Sequence, residues 1–388
     1  MPTPPPRVES KRSPQRPAVA NDPVSSPRGR VESLDAYRGF VMLLMMAEVL
    51  KLGEVAKAFP QSGVLAFLAH QQSHAEWRGC TLHDLIQPSF SFLVGAALPF
   101  SIAARHARGQ STALMTLHAF WRALLLIGLG IFLRSVGKPM TNFTFEDTLT
   151  QIGLGFPLLF LLGMRPRKWA WVGLVAILVG VWGVWSLYPV GEPWAKNANL
   201  GHDFDVWFLN LFPRPALFEA NRGGYLTLNF IPTLATSILG LIAGRWLDDR
   251  ASLRRSLFAG AAAIGAGVLL ESADLCPIVK RIWTPAWVLF SGGCCFWLLA
   301  AFHWVVDLQG LKRWAWPLAV VGRNSIAAYL IAHLWESFVE RSLVTHLGAG
   351  LFQVCGAGFE PLLKGAGTLL VLWLFLVWME RRRIFLRI

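Results

Sequence analysis

Ten apolar stretches recur along the chain, at residues 37–50, 85–104, 117–136, 149–163, 169–188, 228–247, 257–273, 286–306, 315–335 and 366–380. Most approach the roughly 20 residues that a helix needs to cross the hydrocarbon of a bilayer, the first, fourth and last being shorter. A segment in lipid must satisfy its backbone hydrogen bonds within the protein, so only helices and closed barrels span membranes. Apolar runs of this length select the helix. The expected fold is an all-α integral membrane protein, a bundle of about ten transmembrane helices. Charged residues make up 15% of the chain, against about 25% in a soluble domain that must wet its surface. No soluble module is left to carry a basic face, so the net charge of +13 does not indicate a nucleic-acid partner.

That charge is instead organised by the loops. Residues 1–30 are rich in Pro, Ser and Arg and contain no apolar run. They are expected to form a disordered, basic cytoplasmic tail rather than a signal peptide, with the transmembrane domain occupying 31–388. Beyond the tail, one set of loops is short and basic: Arg105 and Arg108; Arg165, Arg167 and Lys168; Arg245, Arg250, Arg254 and Arg255; Lys312 and Arg313; and the final Arg381, Arg382, Arg383 and Arg387. The alternate loops are longer and carry scattered charges such as Lys57, Arg78, Lys196 and Arg222. The positive-inside rule then places the basic loops and both termini in the cytoplasm, with the chain in the cell (inner) membrane and its cations against anionic lipid.

Polar residues inside spans are costly, so each needs a reason. Arg122 lies about two turns into the third span, where it either snorkels to the interface or meets a ligand. Asn324 lies a similar distance into the ninth, suited to an interhelical hydrogen bond or to a ligand. Glu48 falls near the outer end of the first span and His333 near the outer end of the ninth. The densest polar cluster is the first long outer loop, with His70, His74, Glu76, Arg78, His83 and Asp84. His70 and His74 would share a face of a helix, but the Glu of HExxH and a further histidine at metal-site spacing are absent, so no metal is expected. A histidine acting as base or acyl carrier at the mouth of a membrane-embedded cavity fits better.

Other motifs carry no chemistry. Gly240-Leu-Ile-Ala-Gly244 reads as a close helix contact. The Gly260 to Gly267 cluster lies within an apolar span and lacks the strand that precedes a phosphate loop. Five cysteines form no CxxC pair, so neither a zinc nor a thioredoxin-type site is signalled.

The stretch from His74 through Trp77, Gly79, Thr81, Asp84 and Pro88 to Phe90 resembles the signature of the heparan-α-glucosaminide N-acetyltransferase family, including its bacterial-type members. Ser33-Leu-Asp35-Ala-Tyr-Arg38-Gly39 is similar to the family's opening motif. Val306-Asp307-Leu-Gln-Gly310, Gly322-Arg-Asn324-Ser325-Ile326, His333 and Arg383-Ile-Phe-Leu-Arg-Ile388 are similar to its later landmarks. The likeness runs from about residue 31 to the C-terminus. The chain departs from it in having Glu48 near a position where the family carries Asn, and Gln151-Ile152 where it carries Gln-Arg.

The resemblance implies a membrane-bound acyltransferase that takes acetyl-CoA from the cytoplasm and modifies an acceptor beyond the membrane, an amino sugar or glycan. His74 matches the family's catalytic histidine, and Asp84 is the carboxylate expected to orient it. His74 would either carry the acetyl group or deprotonate the acceptor. Arg122, a guanidinium suited to CoA phosphates, together with Asn324, Glu48 and His333, completes the candidate substrate- and cofactor-binding residues. The partners expected are acyl-CoA, a carbohydrate-type acceptor and the bilayer, with a homodimer as an option. A secondary transporter or channel, or a scaffold that has lost activity, shares the many spans and the intramembrane polar residues.

Overall fold

A computed structural model of the protein describes residues 31–247 and 251–386. The tail 1–30, Arg250 and Arg387 lie outside the described residues. Those described form helices and loops without a strand. In chain order the helices are α1 (Glu32–Met46), α2 (Leu52–Ala58), α3 (Gly63–Gln72), α4 (Ile86–Ala107), α5 (Thr112–Ser135), α6 (Thr148–Gly163) and α7 (Arg167–Ser186). They continue with α8 (Leu200–Leu209), α9 (Phe230–Gly244), α10 (Ser252–Ser272), α11 (Pro285–Phe302), α12 (Lys312–Arg323), α13 (Ser325–Leu347) and α14 (Glu360–Arg381). Side-chain caps start several of them: Ser111 accepts from the Leu114 amide, Asp147 from Leu149 and Thr284 from Trp287. Each fills a backbone donor that a helix start leaves open.

The protein is an all-α membrane protein. Among the described residues, seven helices are long and apolar enough to cross a bilayer: α4, α5, α7, α9, α10, α11 and α14, several of them lengthened by adjoining short turns. The three other expected spans coincide with α1, with α6 at 16 residues, and with a broken helix. The apolar run 315–335 is divided: α12 ends at Arg323, α13 begins at Ser325, and Asn324 between them leaves helical geometry at φ −118°, ψ 36°. An apolar run cannot reveal such a break, because hydropathy is blind to backbone direction. The ten-span count therefore remains an expectation.

Glycine sets how closely the helices approach. A Cβ on Gly240 would lie 1.8 Å from the Phe92 carbonyl oxygen, and one on Gly244 would lie 2.2 Å from that of Ala96. The Gly240–Gly244 motif is thus the seam between α9 and α4. On the other side of α4, α1 meets α12 in the same manner, with the Gly322 position 1.8 Å from the Asp35 carbonyl oxygen. These seams make α9 central, with 83% of its spanning window buried, whereas α10 faces outward with 17%.

The long connections and the short basic ones gather at different ends of the spanning helices. One end carries the long loops around His74, Tyr225 and Lys280. The other carries the short basic loops, where Arg245 on the turn after α9 donates to the carbonyls of Leu162, Gly163 and Arg165 at 3.2, 2.8 and 2.9 Å. That cation caps the last turn of α6, whose carbonyls have no partner within the helix.

Candidate active site

The His74 loop is shaped by short-range contacts. α3 ends at Gln72, so His70 and His74 do not share a helix. Gly79 turns the loop at φ +104°, a region that disfavours residues bearing a Cβ. Its amide donates to the Ile278 carbonyl at 3.2 Å, and Arg78 and Val279 form an isolated antiparallel bridge. These contacts clip the loop to the segment between α10 and α11. Trp77 Nε1 donates to the Trp194 carbonyl at 3.2 Å and anchors the other side. The Thr81 hydroxyl donates to the Ser73 carbonyl at 2.6 Å, closing the loop next to His74.

Asp84 sits in a 3-10 turn that leads into α4, with its side chain 1% exposed. Oδ2 accepts from the amides of Ala75 at 3.0 Å and Thr81 at 3.1 Å. Oδ1 lies 2.8 Å from His74 Nδ1 and 3.0 Å from Lys280 Nζ. An ionised carboxylate only accepts, so the imidazole proton belongs on Nδ1 and the lone pair on Nε2. Nε2 has no hydrogen-bond partner among the described residues, and the His74 side chain is 39% exposed. This is the arrangement of a base or nucleophile steered by a carboxylate.

Lys280 was not foreseen from the sequence. It is 196 positions from Asp84, and no local pattern signals that pairing. What the sequence does show is a lysine enclosed by Ile278, Val279, Ile282 and Trp283, all buried here, so its ammonium has to find a partner within the protein. Burial pushes the Lys280 ammonium below the usual lysine range, and the Asp84 carboxylate opposes that shift.

Around this centre lies a cavity of about 430 Å³ whose walls include Glu48, His74, His83, Tyr225, Lys280 and His333. Four of the expected site residues therefore converge: His74, Glu48 and His333 line it directly, and Asp84 stands behind His74. His83 packs its ring 4.8 Å from that of His74, and Glu48 Oε1 lies 3.9 Å from His83 Nε2. His333 stacks on Tyr329 at 4.3 Å and its Nδ1 donates to the Tyr329 carbonyl at 2.9 Å.

A second cavity of about 380 Å³ opens towards the other end, with Arg38, Arg105, Arg122 and Arg323 in its wall. Arg122 lies with its guanidinium carbon 4.5 Å above the Phe156 ring, and its Nε has no partner among the described residues. Ser325 and Ile326 place the first turn of α13 in the same wall. Arg38 pairs with Asp35 at 3.5 Å. Phe90, Thr148 and Tyr329 line both cavities, which therefore meet at these three side chains. The Tyr329 hydroxyl donates to Asp147 at 3.3 Å, and Arg134 Nε holds the same carboxylate at 3.0 Å.

Asn324 is placed elsewhere. It is fully buried, its Nδ2 donates to the Ile384 carbonyl at 3.0 Å, and its Oδ1 accepts from the Leu386 amide at 3.2 Å. It ties the C-terminal segment to the break between α12 and α13 and lines neither cavity, while its neighbours Arg323 and Ser325 do.

No protein-family model matches the chain. It is similar to a human enzyme. Over 371 residues it is 22% identical to the heparan-alpha-glucosaminide N-acetyltransferase of Homo sapiens, a match covering 80% of this chain and 53% of the human protein. The chain thus spans about half the length of that relative. The likeness is distant.

Proposed function

We propose that the protein is an acyltransferase of the bacterial inner membrane that moves an acetyl group from cytoplasmic acetyl-CoA to an extracytoplasmic amino sugar or glycan. The observation that carries this reading is the meeting of the two cavities at Phe90, Thr148 and Tyr329. A donor entering at the basic end could pass its acyl group between these residues to His74. Both termini and the basic loops would lie in the cytoplasm, following their charge.

The basic cavity suits the polyanionic half of CoA. Arg38, Arg105, Arg122 and Arg323 offer guanidinium donors that pair bidentately with phosphate. The first turn of α13 adds backbone amides and the positive end of a 23-residue helix. When bound there, CoA supplies a thioester, whose carbonyl carbon is the electrophile.

Two routes use the same geometry. In the first, His74 Nε2 attacks the thioester carbonyl, the C–S bond breaks, and CoA leaves as thiolate; the acceptor amine then attacks the acetyl-imidazolium, the bond to Nε2 breaks, and the amine proton is taken up by the thiolate. In the second, Nε2 takes the proton of the acceptor as it attacks the thioester directly. In both, Asp84 holds Nδ1–H and keeps the lone pair on Nε2 facing the cavity. Glu48, His83 and His333 surround the place where the acceptor would stand.

The test is incubation of purified protein with radiolabelled acetyl-CoA and a panel of amino sugars and glycans. Transfer by the wild type and its loss in His74→Ala is the expected result. Label trapped on the wild-type protein in the absence of acceptor separates the first route from the second. Transfer by His74→Ala at the wild-type rate overturns the assignment of His74.

A further inference from the structure

Lys280 occupies an unusual place for a lysine. It is held in the loop before α11, its side chain 7% exposed, and among the described residues its ammonium meets two side chains: Asp84 Oδ1 at 3.0 Å and His74 Nδ1 at 3.2 Å. The loop is fixed independently of that contact, by the Arg78–Val279 bridge and by Thr284, whose hydroxyl donates to the Pro277 carbonyl at 2.6 Å. The ammonium is therefore delivered to the Nδ1 edge of His74. Lys280 also borders the cavity, but the contacts its ammonium makes are with Asp84 and the ring, and through them it acts on His74.

The charges around His74 say what that action is. Asp84 alone, 2.8 Å from Nδ1, would favour the imidazolium, because a neighbouring anion stabilises a cation. An imidazolium has no lone pair at Nε2 and can neither accept an acyl group nor take a proton. The remaining charged groups do not correct this. His83 stands beside the ring at 4.8 Å with Glu48 beyond it, and Arg281 donates to the Ala75 and Gly223 carbonyls at 3.4 and 2.9 Å. Arg134 and Glu146 lie in the cavity wall, Arg134 already paired with Asp147.

We infer that Lys280 is a positioning residue whose ammonium offsets the Asp84 carboxylate, so that Asp84 can orient His74 through Nδ1–H without converting it to the imidazolium. The inference deepens the proposed function, resting on His74 as the reacting group, but it concerns the state of His74 itself and can be read without any transfer reaction.

The experiment is diethyl pyrocarbonate labelling of the full chain in detergent at pH 7, with the rate at His74 resolved by mass spectrometry and His70 as an internal reference. The reagent reacts with the neutral imidazole. Lys280→Met is expected to slow labelling of His74 by about threefold, because the unbalanced carboxylate holds more of the ring as imidazolium. Lys280→Arg, which keeps the charge, is expected to label near the wild-type rate. The double variant Lys280→Met with Asp84→Asn removes both charges and is expected to recover most of the lost rate. Loss of packing alone would make the double variant worse, and thermal melts of each variant report packing separately. A wild-type rate in Lys280→Met overturns the inference, as does equal slowing in Lys280→Met and Lys280→Arg. If the labelling pattern is as expected but the wild type transfers no acetyl group, the charge balance stands and the proposed function falls.

Discussion

Among the described residues, two imidazole–carboxylate pairs have nearly equal lengths, one at each end of the bundle. His74 Nδ1 lies 2.8 Å from Asp84, and His303 Nδ1 lies 2.9 Å from Asp307. They differ in what meets the other nitrogen. His303 Nε2 lies 3.2 Å from the buried Ser252 hydroxyl, and Asp307 also accepts the Ser33 amide at 3.3 Å, so this pair joins α1, α10 and the π-helical turn His303–Leu308 after α11. His74 Nε2 faces a cavity. A Ser–His–Asp alignment is therefore not by itself a site: with both imidazole nitrogens occupied, the second pair is a strut. The lesson is that a polar group facing open space acts on rate, and one with its valences filled acts on stability.

The largest expected effect separates the two histidines. His74→Ala lowers the proposed transfer by about 10²- to 10⁴-fold, the range ascribed to a positioned acid–base group, and leaves the melting temperature near that of the wild type. His303→Ala does the reverse, lowering the melting temperature while the folded fraction keeps its transfer rate. Comparable rate losses in both variants would break the distinction.

Asp205 extends it to a carboxylate of the long-loop end. Asp205 accepts the Thr227 amide at 3.0 Å, yet burial pushes its carboxyl up to about 6. The native protein then binds that proton more tightly than the unfolded chain, so stability falls as the pH rises from about 4 to about 6 and is level above. The change is about 2–3 kcal/mol. Melting curves across that window should show the slope in the wild type and lose that part of it in Asp205→Asn, with transfer little altered.

The smallest effects belong to the remaining struts. Asp307→Ala leaves the Ser33 amide and His303 without their acceptor and costs about 1–3 kcal/mol. Asn324→Ala frees the Ile384 carbonyl and the Leu386 amide and costs about 1–2 kcal/mol. Both are checked by thermal or denaturant melts. Loss of CoA binding in Asn324→Ala with an unchanged melt would return Asn324 to the cofactor site.

The same distinction explains how much was legible beforehand. Hydropathy located the helices because a bilayer demands long apolar runs, and the Gly240–Gly244 spacing located a seam because helical periodicity brings positions four apart onto one face. His74 and Asp84 were legible as a pair because only ten residues separate them. Lys280 was not, since its partners lie in another loop and only the folded bundle brings them together. Asn324 was legible as polar but not as a hinge, because the segment that fills its hydrogen bonds, Ile384 to Leu386, is 60 positions or more away. The meeting of the cavities at Phe90, Thr148 and Tyr329 joins three helices and has no linear signature.

The most direct measurement places acetyl-CoA outside proteoliposomes and glucosamine inside, with the donor unable to cross. Transfer through the joined cavities predicts N-acetylglucosamine within the lumen for the wild type and none for His74→Ala. Product that forms only when donor and acceptor share a compartment would contradict a route through the bundle.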